Sequence, residues 1–378
     1  MIKDFKTYIS EGLFDRNQSE FNIRKTDRGV EQVYIPSTKD ELYKYIDIAI
    51  ENAKKEGTYP NVNLNNIDVS ELGNDELEDL FSSKIYMINP DISDWNIKSI
   101  PSNFFDSNEQ IKEFTIPNSV TSIGYSAFAG CAELTSVTIT NGVKIIGDNA
   151  FSYCSSLSSV TIPNSVTSIG NNAFAGCVCL SSITIPNSVK IIGDNAFSYC
   201  YNLESVNIPN SVTSIGYSAF SICSGLKSVT IPNSVTIIGY SAFASCGNLT
   251  IINVSSDNPN YTSKDGVLFN KQFTMLIQYP AGKQGSYVIP NNVVIIGDGA
   301  FSGCHELTSV TIPNSVKRIG KNAFWFCKSL KSIEIPDSVT NIGRIAFWNC
   351  DGLKSVTISK HCNIEKNSFP QNCKIIIK

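Results

Sequence analysis

From about residue 100 to the C-terminus, apolar positions return with a step of 23 residues. Each copy opens on a short alternation, L-x-x-V-x-I, as in Leu157, Val160 and Ile162, and most then reach a Pro-Asn-Ser turn. A second apolar pair then closes on Ile-Gly, at Gly124, Gly147, Gly170, Gly193, Gly216 and Gly239, and again at Gly297, Gly320 and Gly343. Both segments are too short for a helix, and the first alternates with period two, which predicts two short strands per copy. Five residues after each of these Ile stands a Phe preceded by Ala, and three residues after the Phe stands a Cys. The A-F-x-x-C stretch fits one helical or 3₁₀ turn.

One such unit cannot bury its own apolar face, so identical units must stack. Stacking at about 4.8 Å predicts a β-rich solenoid with a parallel strand ladder, and columns of like side chains. Phe128 through Phe347 would form a buried spine, the Cys from Cys131 to Cys350 a second column, and the turn Asn a third (Asn118, Asn164, Asn187, Asn210, Asn233, Asn291 and Asn314). The Asn column is expected to satisfy loop backbone groups of the adjacent repeat.

The string IPNSVTSIGYSAFAGCAELTSVTI with its 23-residue step resembles the BspA-type leucine-rich repeat. Residues 254 to 289 resemble that family's longer unit, in which a hairpin replaces the usual turn; Gly239 to Gly297 is 58 residues, two periods plus 12. Upstream, LNNIDVSELGNDELEDLF and NPDISDWNI resemble, in degenerate form, a D-I-S-x-W surface-protein repeat. The resemblance implies a leucine-rich-repeat solenoid used for binding, often in adhesion at a cell surface.

The expected organisation is an N-terminal segment 1–36 with no assigned structure, a helical cap and degenerate repeat over 37–99, repeats over 100–253, the longer unit 254–289, and repeats with a C-terminal cap over 290–378. Thr38 followed by Glu41 is a capping box, and Leu42, Ile46, Ala49, Ile50 and Ala53 share one face, which predicts a helix over 39–56. Asn74 can cap a second short helix. The fold class is therefore a β-solenoid with a small α-containing N-terminal cap.

Charge divides the chain: residues 1 to 100 hold 19 acidic and 12 basic side chains, whereas 304 to 378 hold 5 and 11. No run approaches a membrane span, and Asp4 and Glu11 interrupt the opening stretch where a signal peptide needs apolar residues. A cytoplasmic or particle-associated chain is expected rather than a classically secreted one. Nine of the 12 Cys share one repeat position, with no C-x-x-C and only 2 His, so buried packing thiols are expected and no metal, cofactor or catalytic group is assigned. Cys179 and Cys362 lie off register. His305 beside Glu306 falls at variable positions and is read as exposed surface.

The candidate contact residues are of two kinds. Ser and Thr fill the outward positions of the first strand, with Thr138, Thr161 and Thr184 in one column. In the basic C-terminal copies, Lys321 and Arg344 share a column, Lys331 and Lys354 share another, and Trp325, Phe326 and Trp348 replace small residues between spine Phe and Cys. Together they point to a noncatalytic binding or adhesion solenoid recognising a protein or glycan, with self-association through the acidic N-terminal segment as one possibility. Net charge of -4 and the lack of a base-stacking motif argue against nucleic acid. The alternative is a structural component of a phage particle or other assembly, attached through its N-terminal segment.

Overall fold

The computed structural model describes residues 97–378 and, upstream, the backbone of two antiparallel strands, Phe21–Thr26 and Gly29–Tyr34. The sequence reading assigned nothing to 1–36, because charged residues such as Arg24, Lys25 and Glu31 dilute the apolar alternation of this hairpin. The helix expected over 39–56, the helix capped by Asn74 and the D-I-S-x-W stretch lie outside the described residues. Among the described residues there is no helix, so the α-containing cap has no support from the fold.

Each repeat runs through a first strand (A), the proline turn, a second strand (B) and a broad outer turn. The A strands Glu113–Thr115, Ser136–Thr138, Ser159–Thr161, Ser182–Thr184 and Ser205–Asn207 form a 5-stranded parallel sheet in chain order. The B strands from Ser99–Ile100 to Ile237–Ile238 form a 7-stranded one. Val137 pairs with Val160 and Ile146 with Ile169, so an advance of one repeat places like residue upon like. The Ile-Gly glycine is required by this stacking. A Cβ on Gly216 would stand 2.5 Å from the backbone N of Asp194 and 2.5 Å from the carbonyl carbon of Gly193.

The outer turn is not helical. Ala127 N–H donates to Gly124 O and Cys131 N–H to Phe128 O, closing two separate turns. Two residues per copy have left-handed backbone, Asn149 (φ 56) and Tyr153 (φ 58) in one repeat, and this interrupts any helix. Other N–H groups then point along the stack: Phe128 N–H donates to Ala150 O at 2.8 Å and Gly130 N–H to Ser152 O at 2.7 Å. The turns thus form a third inter-repeat ladder, with the dihedrals of turns rather than strands.

Inside, the rings from Phe128 to Phe243 stack with centroids 5.1–5.6 Å apart. Every column Cys but Cys304 bonds to the layer below, as Cys154 Sγ does to Phe128 O at 3.0 Å and Cys200 Sγ to Phe174 O at 3.2 Å. The spine is not one continuous Phe column, because the long unit divides the core into two clusters. Tyr279 takes the spine position there, stacking on Phe301 at 5.0 Å, and the second stack continues through Phe324 and Phe347 to Phe369.

The long unit is a wedge. On the B side it adds Tyr261–Lys264 and Val267–Asn270, an antiparallel hairpin, and Met275–Gln278, which restarts a 7-stranded sheet running to Asn363–Ile364. Val267, Leu268 and Phe269 are all buried, Leu268 in the first core and its neighbours in the second. On the outer-turn side the wedge is thin: Ser245 N–H donates directly to Ser302 O at 2.9 Å, 57 positions on in sequence. A Cβ on Gly303 (φ 74) would press on Ser245 at 2.5–2.6 Å, so this abutment demands glycine twice over. Side chains tie the hairpin to the first unit. Asn258 Nδ2 donates to Pro232 O (2.7 Å) and Val235 O (3.0 Å), and Tyr261 Oη accepts from Ile238 N–H (2.9 Å).

Candidate binding surfaces

The two outer-turn positions after the spine Phe differ in the room they offer. The first is a buried slot for Ala or Ser, as at Ser152, Ala175, Ser198 and Ser302. Trp325 and Trp348 occupy it in the last copies and, too large to be enclosed, remain half-buried. The second position has left-handed backbone, supplied by Gly130, Gly176 and Gly303 in some copies but by Tyr153 (φ 58), Tyr199 (φ 60) and Phe326 (φ 64) in others. That conformation costs a non-glycine residue roughly 1–2 kcal/mol. Tyr153, 66% exposed, lays its ring over Gly176 of the next layer, where a Cβ would stand 2.7 Å from it.

Around Phe326 the rings cluster. Trp325 lies 5.2 Å away and His305 5.3 Å away, edge-on, while Lys328 Nζ sits 4.4 Å from the Phe326 centroid. Phe326 is therefore already engaged by a cation of its own chain. His305 is half-buried beside this ring, rather than plain exposed surface, and its Nδ1 is enclosed without a hydrogen-bond partner.

The outer turn runs from Lys321 to Lys331, so the two basic columns flank the aromatic strip, Lys321 and Arg344 at one edge and Lys331 and Lys354 at the other. All four side chains are exposed, and none has a carboxylate partner among the described residues. Carboxylates do cap the backbone on the first edge: Asp298 accepts from Lys321 N–H at 2.9 Å and Glu365 from Arg344 N–H at 3.0 Å. Of these seven expected residues, Trp325 and Phe326 are in direct contact, and the other five lie in the outer turns of the same two copies. Thr138, Thr161 and Thr184 lie elsewhere, on the A-strand face of the first unit, in register and exposed. Their hydroxyls have no partner among the described residues, whereas Thr135 and Thr167, outside the A strands, donate to carbonyls of the preceding layer.

The other sequence features are structural. All 12 Cys are free thiols; burial pushes the Cys200 thiol up to about 12 and raises Cys177 well above its ordinary value. Cys179 is exposed and Cys362 half-buried. In several turns it is Ser, not the expected Asn, that ties neighbours: Ser234 Oγ donates to Val212 O at 2.7 Å and Ser338 Oγ to Val316 O at 2.8 Å, whereas Ser165 and Ser211 Oγ have no partner among the described residues. No group of metal-ligating side chains occurs among the described residues.

Parallel ladders with one residue type per column define the class, a solenoid of the leucine-rich-repeat kind. The chain belongs to the BspA-type leucine-rich repeat region family, whose profile matches residues 55–158, 144–265 and 280–377 in 6 copies. Among solved structures, it is similar to a leucine rich cell surface protein from Faecalibacterium prausnitzii A2-165, with 34% identity over 69% of this chain and 79% of that one, and a TM-score of 0.59. A leucine-rich repeat protein from Eubacterium ventriosum ATCC 27560 is 31% identical over 69% of this chain and 63% of that one, with a TM-score of 0.53. The pneumococcal vaccine antigen PcpA is 25% identical over 74% and 81%, with a TM-score of 0.60. Comparison with curated proteins found no match.

Proposed function

We propose that this chain is a noncatalytic recognition or adhesion solenoid whose C-terminal outer-turn strip, Trp325, Phe326 and Trp348 between Lys321, Arg344, Lys331 and Lys354, contacts an acidic protein or acidic glycan. The observation that carries this reading is the presence, in the same outer turns, of exposed cations without a carboxylate partner among the described residues and of tryptophans in a slot that earlier copies fill with Ala or Ser. Stacked like charges repel, and a negative partner offsets that repulsion. Half-exposed tryptophans supply the apolar anchor common at such contacts. The likeness to a protein described as a cell surface protein favours adhesion over a role as a particle component. The hydroxyls of Thr138, Thr161 and Thr184, without partners among the described residues, offer a second, weaker contact face.

The test is retention on an immobilised acidic polysaccharide and on an acidic protein at low salt. The double reversal Lys331→Glu with Lys354→Glu should abolish retention while leaving the melting temperature nearly unchanged, since exposed substitutions move stability by about 0.5 kcal/mol or less. Retention that survives both this reversal and removal of Trp325 and Trp348 would place the contact elsewhere.

A further inference from the structure

A groove of about 560 Å³ opens where the A strands meet the proline turns of the second unit, lined by Asn291, Thr311, Ile312, Pro313, Asn314 and Glu334 among others. Its size lies within the range of small-ligand sites, ~300–1,000 Å³. None of the outer-turn contact residues lines it. Two departures from the repeat make it. The turn prolines Pro117, Pro163, Pro186, Pro209, Pro232 and Pro336 are buried, but Pro290 and Pro313, the first two after the wedge, are only half-buried. Here the apolar turn is open to a ligand. The outward column that carries Thr138, Thr161, Thr184, Thr311 and Thr357 carries a carboxylate at Glu334 alone among these copies. Glu334 is exposed and forms no ion pair among the described residues.

The chemistry of the lining is specific. Ile312, Pro313 and Pro336 give an apolar floor, while Thr311, Asn291 and Asn314 supply both donors and acceptors and Glu334 acceptors only. A cationic side chain would need acceptors alone. A sugar ring presents an apolar face and a rim of hydroxyls that both donate and accept, which matches the whole lining. We infer that this groove is a carbohydrate site, in which Pro313 and Ile312 lie beneath a pyranose ring and Glu334, Asn314 and Asn291 hold its hydroxyls. The inference stands apart from the outer-turn strip and does not depend on it.

The test uses the full chain and a panel of neutral methyl glycosides of glucose, galactose, mannose and N-acetylglucosamine, followed by saturation-transfer NMR and titration. At least one glycoside should bind. Glu334→Thr, which restores the residue of neighbouring copies and so leaves the fold intact, should weaken it about tenfold or more, as loss of a charge-assisted hydrogen bond does. Asn314→Ala should weaken it as well, and Lys331→Glu with Lys354→Glu should leave it unchanged. No binding by any glycoside, or binding indifferent to both Glu334→Thr and Asn314→Ala, overturns the site. Binding of a lysine- or arginine-bearing peptide in place of every glycoside overturns the carbohydrate assignment.

Discussion

The two units on either side of the wedge share a core and differ in surface. In the first, spine rings repeat with interplanar angles of 2–11°, and the surface repeats too, every second layer. Lys144, Ile145, Asp148 and Tyr153 return as Lys190, Ile191, Asp194 and Tyr199, which is the trace of a duplicated 46-residue block. In the second, the Phe and Cys columns are kept while the surface becomes basic and aromatic. Column residues touch copies of themselves above and below, so a change at one must be met by its neighbours. Outward residues are coupled only at particular pairs, such as Lys227 with Glu204 or Asn171 with Asp148, and diverge more freely. Recognition is therefore to be sought where the repeat departs from itself, as it does at Trp325, Trp348 and Glu334.

If the wedge separates two cooperative units, a spine deletion should be felt in one unit only. Phe197→Ala and Phe324→Ala should each cost about 3–5 kcal/mol, as deletions of buried aromatics do. In a Trp95→Phe background the remaining tryptophans, Trp325 and Trp348, both lie in the second unit, so their fluorescence follows that unit while circular dichroism follows both. Phe324→Ala should shift the fluorescence transition, and Phe197→Ala should leave it in place. Equal shifts from both would mean one cooperative solenoid.

A smaller effect is expected at the joint itself. Asn258 is buried and donates to two carbonyls of the first unit while accepting from Asn260 and Tyr261 N–H groups. Asn258→Ala should cost about 1–3 kcal/mol for the groups left unsatisfied, and should widen the gap between the two transitions in urea. A single, merely shifted transition would show that Ser245 and Ser302, rather than Asn258, join the units.

The smallest effect should be common to both units. Burial raises the column thiols Cys154, Cys177, Cys200, Cys223 and Cys327, Cys200 to about 12 from 9.0. A raised folded value means stability is full below about pH 9, where the unfolded thiols are also neutral, and is lost as pH rises through about 12. The melting temperature should be flat from pH 6 to 8, fall between 9 and 12, and be indifferent to reductant throughout. Dependence on reductant at neutral pH would replace the thiol column with disulfides.

Much of this was readable in the sequence because columns leave periodic marks: the Ile-Gly, Phe and Cys positions all found their places, and the surplus of 12 residues marked the hairpin. Three things were not. The spine break was hidden because Tyr279 lies off the 23-residue step and only its stacking on Phe301 reveals it. The outer turn looked helical because A-F-x-x-C has helical spacing, whereas its left-handed positions are held by Asn, Ser and even Tyr, which spacing does not record. The groove at Glu334 depends on how far Pro290 and Pro313 are covered by the layer before them, a property of two layers together. Of the contact residues, the aromatic and basic ones were visible as departures from the repeat; that Lys328 already covers Phe326 was not.

The direction of the ladders has a mechanical consequence. Strand-to-strand hydrogen bonds lie along the stack, so tension between the two ends loads the layers in series, like links of a chain, and the weakest junction sets the yield force. Most layers are joined by backbone ladders at the A strand, the B strand and the outer turn. At the wedge, the end of the first B sheet is held instead by the side chains of Asn258, Asn260 and Tyr261. Stretched between a surface and a tethered partner, the solenoid would part there first, lengthening at one defined point while each stack kept its shape.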